Sequence, residues 1–207
     1  LFVGKAPISG KLKQRFVNEI ESITMLALAR SANTGLADGK LIPEVLIIGL
    51  KLTAKATEIP SEVIELIAGQ RKSGIVFACV REVPFEGRTR EECAFAVRRA
   101  QPGRAGHTLI YHVYAGDWQP AGECQLELTG STIDELWASL CSQAILGTTD
   151  FENLDARIVQ HGEIARLEAD VDKLTRDHQR AKNPAQRNEI YAKLHKAKTQ
   201  LAQMREV

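Results

Sequence analysis

Along the last quarter of the chain, apolar or small side chains recur at alternating steps of three and four. The first run is Ile164, Leu167, Val171, Leu174, His178 and Ala181, and the second is Ile190, Leu194, Ala197, Leu201 and Met204. That alternation lines one seam of a helix and asks for a partner helix to cover it. The step from Ala181 to Ile190 breaks the series, and Asn183-Pro184-Ala185-Gln186 occupies the break. It reads as an N-cap residue, a proline suited to the first helical position and a glutamine three after the cap. The pattern predicts one helix ending near Lys182 and a second starting at Pro184. Folded back on each other over residues 151–207, they make an antiparallel coiled-coil hairpin with arms of roughly 35–40 Å. A single kinked helix is the competing reading.

Residues 1–150 read as a separate globular body. Residues 1–10 hold turn formers and a few apolar anchors and are expected along its surface. Lys11 to Arg30 carries Leu12, Phe16, Ile20, Ile23 and Ala27 on one stripe and is predicted as a single amphipathic helix. Ser31–Gly39 is loop by composition. Glu44–Leu52 is apolar on both faces, as a strand buried on two sides requires. A helix from Pro60 to about Gln70 follows, and Gly74–Val80 is a second buried strand, so the two strands are expected parallel with a crossover between them. After a loop at Pro84–Arg90, the segments Cys93–Arg98, Thr108–Ala115 and Cys124–Leu128 are expected as an antiparallel meander. Ser131 with Asp134 reads as a capping box for a helix through Ile133, Leu136, Trp137, Leu140 and Ile145. Gly147–Asn153 is the linker. The expected class is α/β with α+β character: a mixed sheet of about five strands, three helices, and the hairpin.

Charge changes the picture only locally. The 207 residues carry a net charge of +1, with 44% hydrophobic and 26% charged positions, as in soluble globular chains. From Arg176 to Lys198, however, seven basic residues face only Asp177 and Glu189. Arg176, Arg180, Lys182, Arg187, Lys193 and Lys196 are therefore the candidate partner- or DNA-binding residues at a positive hairpin tip; a merely solvated helix end is the bland alternative. The cysteines Cys79, Cys93, Cys124 and Cys141 lack metal-ligand spacing and read as core thiols of a cytoplasmic protein. No apolar run approaches the length of a membrane span. The chain shows no signal peptide and opens at Leu1 rather than methionine, so no targeting assignment is made from it.

Catalytic chemistry is hard to find. A restriction-type metal nuclease needs clustered carboxylates and a lysine at adjacent strand ends, commonly as acid-x-Lys. Lys51 ends one strand but Gly49 stands where the acid belongs, so the nearest imitation is Glu44, Lys51 and Glu82. His107 and His112 are five apart on one predicted strand and point to opposite faces. His161, His178 and His195 belong to the hairpin, His178 as a polar seam residue that sets register. Phosphate-binding loops and a nucleophile elbow are absent, and neither a cofactor nor a metal is implied. Trp118 reads as a cap on the sheet or as a contact anchor.

The order of these features resembles one family. Lys11-Leu-Lys-Gln-Arg-Phe-Val-Asn-Glu-Ile-Glu-Ser-Ile23 opens it, and the Val45–Lys51 strand, the Val63-Ile-Glu-Leu-Ile67 helix and the Ile75–Val80 strand follow. Tyr111, Tyr114 and Trp118, then Ile133-Asp-Glu-Leu-Trp137, and Gln186-Arg-Asn-Glu-Ile190 in the hairpin complete the pattern. The chain is similar to the bacterial family catalogued as domain of unknown function 4391. The resemblance implies genes beside DNA methyltransferases and helicase-like ATPases of restriction or phage-defence type. Similar proteins often carry Glu-x-Lys where this chain has Gly49-Leu50-Lys51. The expectation is a non-catalytic accessory subunit that uses its hairpin to hold such a protein partner or DNA. The alternative is a divergent nuclease on Glu44, Lys51 and Glu82. Self-association through unsatisfied hairpin seams is a third reading.

Overall fold

A computed structural model describes residues 9–101 and 109–205. Contacts divide the chain into two compact units, Leu1–Leu154 and Asp155–Val207. In the first unit, α1 (Gly10–Glu19) starts at Ser9, whose hydroxyl accepts the Leu12 N–H. The expected helix to Arg30 stops there. Ile20–Ala29 is instead strand β1, antiparallel to β2 (Val45–Leu52). The helical stripe is real up to Phe16; beyond it, the β-branched Ile20, Ile23 and Thr24 suit a pleated strand, and β2 needs a partner for its backbone. The segment 31–39 expected as loop contains one helical turn, α2 (Ser31–Thr34), closed by Gly35 at φ 74°.

β2 pairs parallel with β3 (Gly74–Phe85) through the crossover helix α3 (Ser61–Ala68), as the strand–helix–strand order requires. β3 runs past Val80 and turns directly into β4 (Arg88–Ala100), so Pro84–Arg90 is a hairpin rather than a loop. Glu86 at φ 49° and Gly87 at φ 75° make the two-residue turn, whose twist matches that of the strands. β5 (Tyr111–Ala115) lies on the far side of β4. The expected strand at Cys124–Leu128 does not form. A two-residue strand β6 (Gln119–Pro120) pairs with β4 instead, followed by a 3-10 turn at Ala121–Glu123. With that edge of β4 occupied, the Glu127 backbone is satisfied in both directions by the side-chain amide of Gln143. The sheet order is β1-β2-β3-β4-β5 with β6 beside β4. Among the described residues the body thus has six strands and four helices where five and three were expected, with α5 and α6 of the hairpin besides, within the expected mixed α and β class. His107, Thr108 and residues 1–8 lie outside the described residues.

Helices cover both faces. Leu46, Ile48 and Leu50 of β2 meet Val63, Ile64 and Ile67 of α3 and Phe77 of β3 in one core. α4 (Ile133–Leu146) packs across β3, β4 and β5, with Ile133, Leu136 and Leu140 fully buried. Its cap is one residue later than the spacing suggests: the Thr132 hydroxyl accepts the Glu135 N–H, and the Glu135 carboxylate accepts the Ser131 N–H. That shift frees Asp134 for another task, described below.

The second unit holds α5 (Leu154–Arg180), whose first residue belongs to the body, and α6 (Pro184–Arg205). Asn183 caps α6 by accepting the Ala185 N–H through its side chain. Gln160 donates to the Met204 carbonyl and the His178 ring lies 5.9 Å from that of Tyr191, so the arms are antiparallel.

Candidate functional site

Burial along the hairpin follows its seam. Leu167, Leu194 and Ala197 are buried, while Ile164, Val171, Leu174, Ile190 and Leu201 are half-buried. Two helices alone cover each other from one side only, which is why the seam is not sealed throughout. The two seams nevertheless face each other, so burying them requires no second chain. His178 is half-buried on the seam against Tyr191, an aromatic contact rather than a ligand set.

The basic residues gather away from that seam. Arg176 and Arg180 end α5, where a positive charge complements the helix dipole, Lys182 is in the turn, and Arg187 is in the first turns of α6. Lys193 and Lys196 follow within about 20 Å of the turn at 1.5 Å per residue. All six are exposed. Lys193 pairs with Glu189 at 2.7 Å, and among the described residues the other five have no carboxylate partner. Such a surface presents unneutralised donors to phosphate or carboxylate groups.

The carboxylates and lysine considered for a nuclease are not brought together. Glu44 and Lys51 stand at opposite ends of the β2 region, about 23 Å apart at 3.3 Å per strand residue. Glu44 is occupied structurally: Arg30 reaches it at 2.5 Å and the Ser73 hydroxyl donates at 2.8 Å, and these two bonds, Ser73 first, hold its pKa below the usual value. Lys51 lies 3.5 Å from Glu21 and 3.6 Å from Glu82, on the neighbouring strands, and both raise its pKa, Glu21 first. Only Glu82 of the two expected acids is near the lysine. At position 49 a side chain would point at Leu26, whose atoms lie 3.4–3.6 Å from an added Cβ. Among the described residues no group of three or more His, Cys, Asp or Glu side chains is arranged to hold a metal ion. A lysine neutralised by two exposed carboxylates is a surface charge cluster.

Other polar residues prove structural, and spacing alone did not single them out. Glu21 was hidden by the helical reading of its segment. Glu92, 7% exposed, binds Arg81 at 2.9 Å and Arg90 at 2.5 Å. Arg81 in turn lies 4.0 Å over the ring of Trp118, which packs against the core; its role is to cap the sheet. Cys79, Cys93 and Cys141 are buried and Cys124 is partly so, all as free thiols. Burial pushes the Cys79 and Cys93 thiols up to about 12, which leaves them unreactive near neutral pH. No helix of the described residues is long and apolar enough to cross a membrane.

Comparison with curated proteins and with solved structures finds no match. One family profile, described as domain of unknown function (DUF4391), matches residues 1–201. Nearly the whole chain, body and hairpin together, is therefore accounted for by one family, and this protein belongs to the DUF4391 family.

Proposed function

We propose that the protein is a non-catalytic interaction subunit of a bacterial DNA-modification or phage-defence assembly, acting in the cytoplasm. Its hairpin holds a protein partner, a DNA methyltransferase or a helicase-like ATPase, and the basic tip reaches toward DNA. One observation carries this reading: a hairpin whose seams already face each other ends in five exposed basic residues that have no carboxylate partner among the described residues. A hairpin that needs no further apolar burial and extends charge outward is suited to contact rather than to core formation. The site residues are Arg176, Arg180, Lys182, Arg187, Lys193 and Lys196.

The test is co-purification from cells carrying the native gene neighbourhood. Wild-type protein is compared with Arg180→Glu/Lys182→Glu/Arg187→Glu. Loss of a methyltransferase or helicase partner from the variant, with unchanged circular dichroism, is the expected result. Duplex binding is followed by fluorescence anisotropy at several salt concentrations. Each phosphate contact removed should flatten the plot of log K against log salt by about 0.9. Equal partner recovery and equal DNA binding by both proteins would end this reading.

A further inference from the structure

The body has a second feature that the hairpin reading leaves unused. α3 packs over β3, β4 and β5, and on the side toward β2 and β1 its last turn leaves a pocket of about 180 Å³. Leu46, Ile48, Ile67 and Ile75 close it, all nearly or fully buried. Ile23 and Met25 of β1 form its outer lip, Met25 being 65% exposed. Arg71 stands at the lip from the other side and, among the described residues, is the one polar residue lining the space.

Two physical facts select the ligand. A cavity of about 150 Å³ with aliphatic walls accepts a six-carbon ring, so this space suits a hydrocarbon group of about that size. A guanidinium beside it favours an anion, and a planar carboxylate matches its paired donors. Among the described residues Arg71 has no carboxylate within ion-pair distance. The Arg71 charge increases the acidity of Glu44, but the Glu44 oxygens are held by Arg30 and Ser73. β1 is the edge strand of the sheet, and Ile23–Ala29 contains no charge and no proline, so the lip is open and apolar.

We propose that this pocket binds a small apolar carboxylate, the hydrocarbon part against Ile48, Ile67 and Ile75 and the carboxylate on Arg71. Hexanoate is the probe, with hexan-1-ol as its uncharged match, titrated into the full-length ¹⁵N-labelled protein and followed by amide shifts. Saturable shifts confined to the Ile23–Ala27 and Ile67–Lys72 amides are expected, with hexanoate about threefold to fivefold tighter, the worth of a partly exposed ion pair. Arg71→Gln, at an exposed position, should bring hexanoate down to the alcohol. Met25→Trp, which closes the mouth from the exposed edge, should abolish both. Absence of saturable shifts at this site, equal binding of acid and alcohol by the wild type, or an unchanged preference in Arg71→Gln would overturn the assignment.

Discussion

Asp134 ties two distant parts of the chain together, and replacing it with asparagine measures that tie. Its carboxylate accepts the N–H groups of Lys40 at 2.7 Å, Ile42 at 2.8 Å and Leu41 at 3.2 Å, more than ninety residues away in sequence. The loop wraps so closely that a Cβ at Gly39 would stand 2.7 Å from Asp134 Oδ1 and 2.2 Å from the Ile42 carbonyl. Burial alone would raise the pKa of Asp134, but the three backbone N–H bonds outweigh it and hold the value below the ordinary 3.8. Asparagine keeps one acceptor and turns an amide donor toward the other N–H, so one of the two shortest bonds is lost. A hydrogen bond to a charged group contributes about 1.5–3 kcal/mol, and water recovers part of it at a half-exposed site, leaving a cost of about 2 kcal/mol. Loss of the negative charge in the first turn of α4 adds about 0.5 kcal/mol. For a chain of this size the sum lowers Tm by roughly 5–10 °C. Because the folded pKa is depressed, the stabilisation is present above the unfolded value and fades as pH falls through the folded one. Denaturant unfolding should therefore give a constant gap between wild type and Asp134→Asn from neutrality to about pH 4, and a shrinking gap below it. Hydrogen exchange should show the Lys40, Leu41 and Ile42 amides losing protection first. A gap under about 0.5 kcal/mol, or one that persists into strong acid, would refute the clamp.

Four further substitutions probe the fold. Gly74→Ala puts a Cβ 2.5 Å from the Trp137 ring and should cost about 1–3 kcal/mol, whereas Gly49→Ala meets only the exposed Leu26 and should be neutral or stabilising by up to about 1 kcal/mol; chemical denaturation distinguishes the two. Leu194→Ala removes a buried seam side chain and should destabilise the hairpin by about 2–3 kcal/mol, read as faster proteolysis within 155–205 while the body stays resistant. Glu92→Gln weakens the bonds to Arg90 and Arg81 and should lower Tm at neutral pH. Since these bonds, Arg90 first, depress the Glu92 pKa, the difference should disappear once acid protonates the wild-type carboxylate.

Elements with their own periodicity or punctuation are legible in the sequence. The hairpin could be placed because a three-four alternation, an asparagine cap and a proline define helices through contacts within a few residues. β2 and β3 were legible as unbroken apolar runs, and α3 between them made their parallel pairing the short solution. Where the local pattern served two structures, it misled. Leu12, Phe16, Ile20 and Ile23 fit a helix, yet Ile20 and Ile23 bury as well on a strand once β2 offers a ladder. Leu126 and Leu128 alternate like a strand, yet β4 was already occupied by β5 and β6.

Local repetition determined the hairpin helices, α3, α4 and the strands β2 and β3, because propensity, capping and amphipathic spacing act over one or two turns. The candidate basic tip also follows from sequence order, since its residues flank one turn. Only the tertiary structure decided what stands beside what across the sheet. Glu44 and Lys51 share a strand, yet extended backbone separates them by about 23 Å, while Glu21 and Glu82 come to Lys51 from neighbouring strands. Asp134 found its three donors in a loop that no spacing connects to it. Register and crossover set those distances, and both are properties of the assembled sheet.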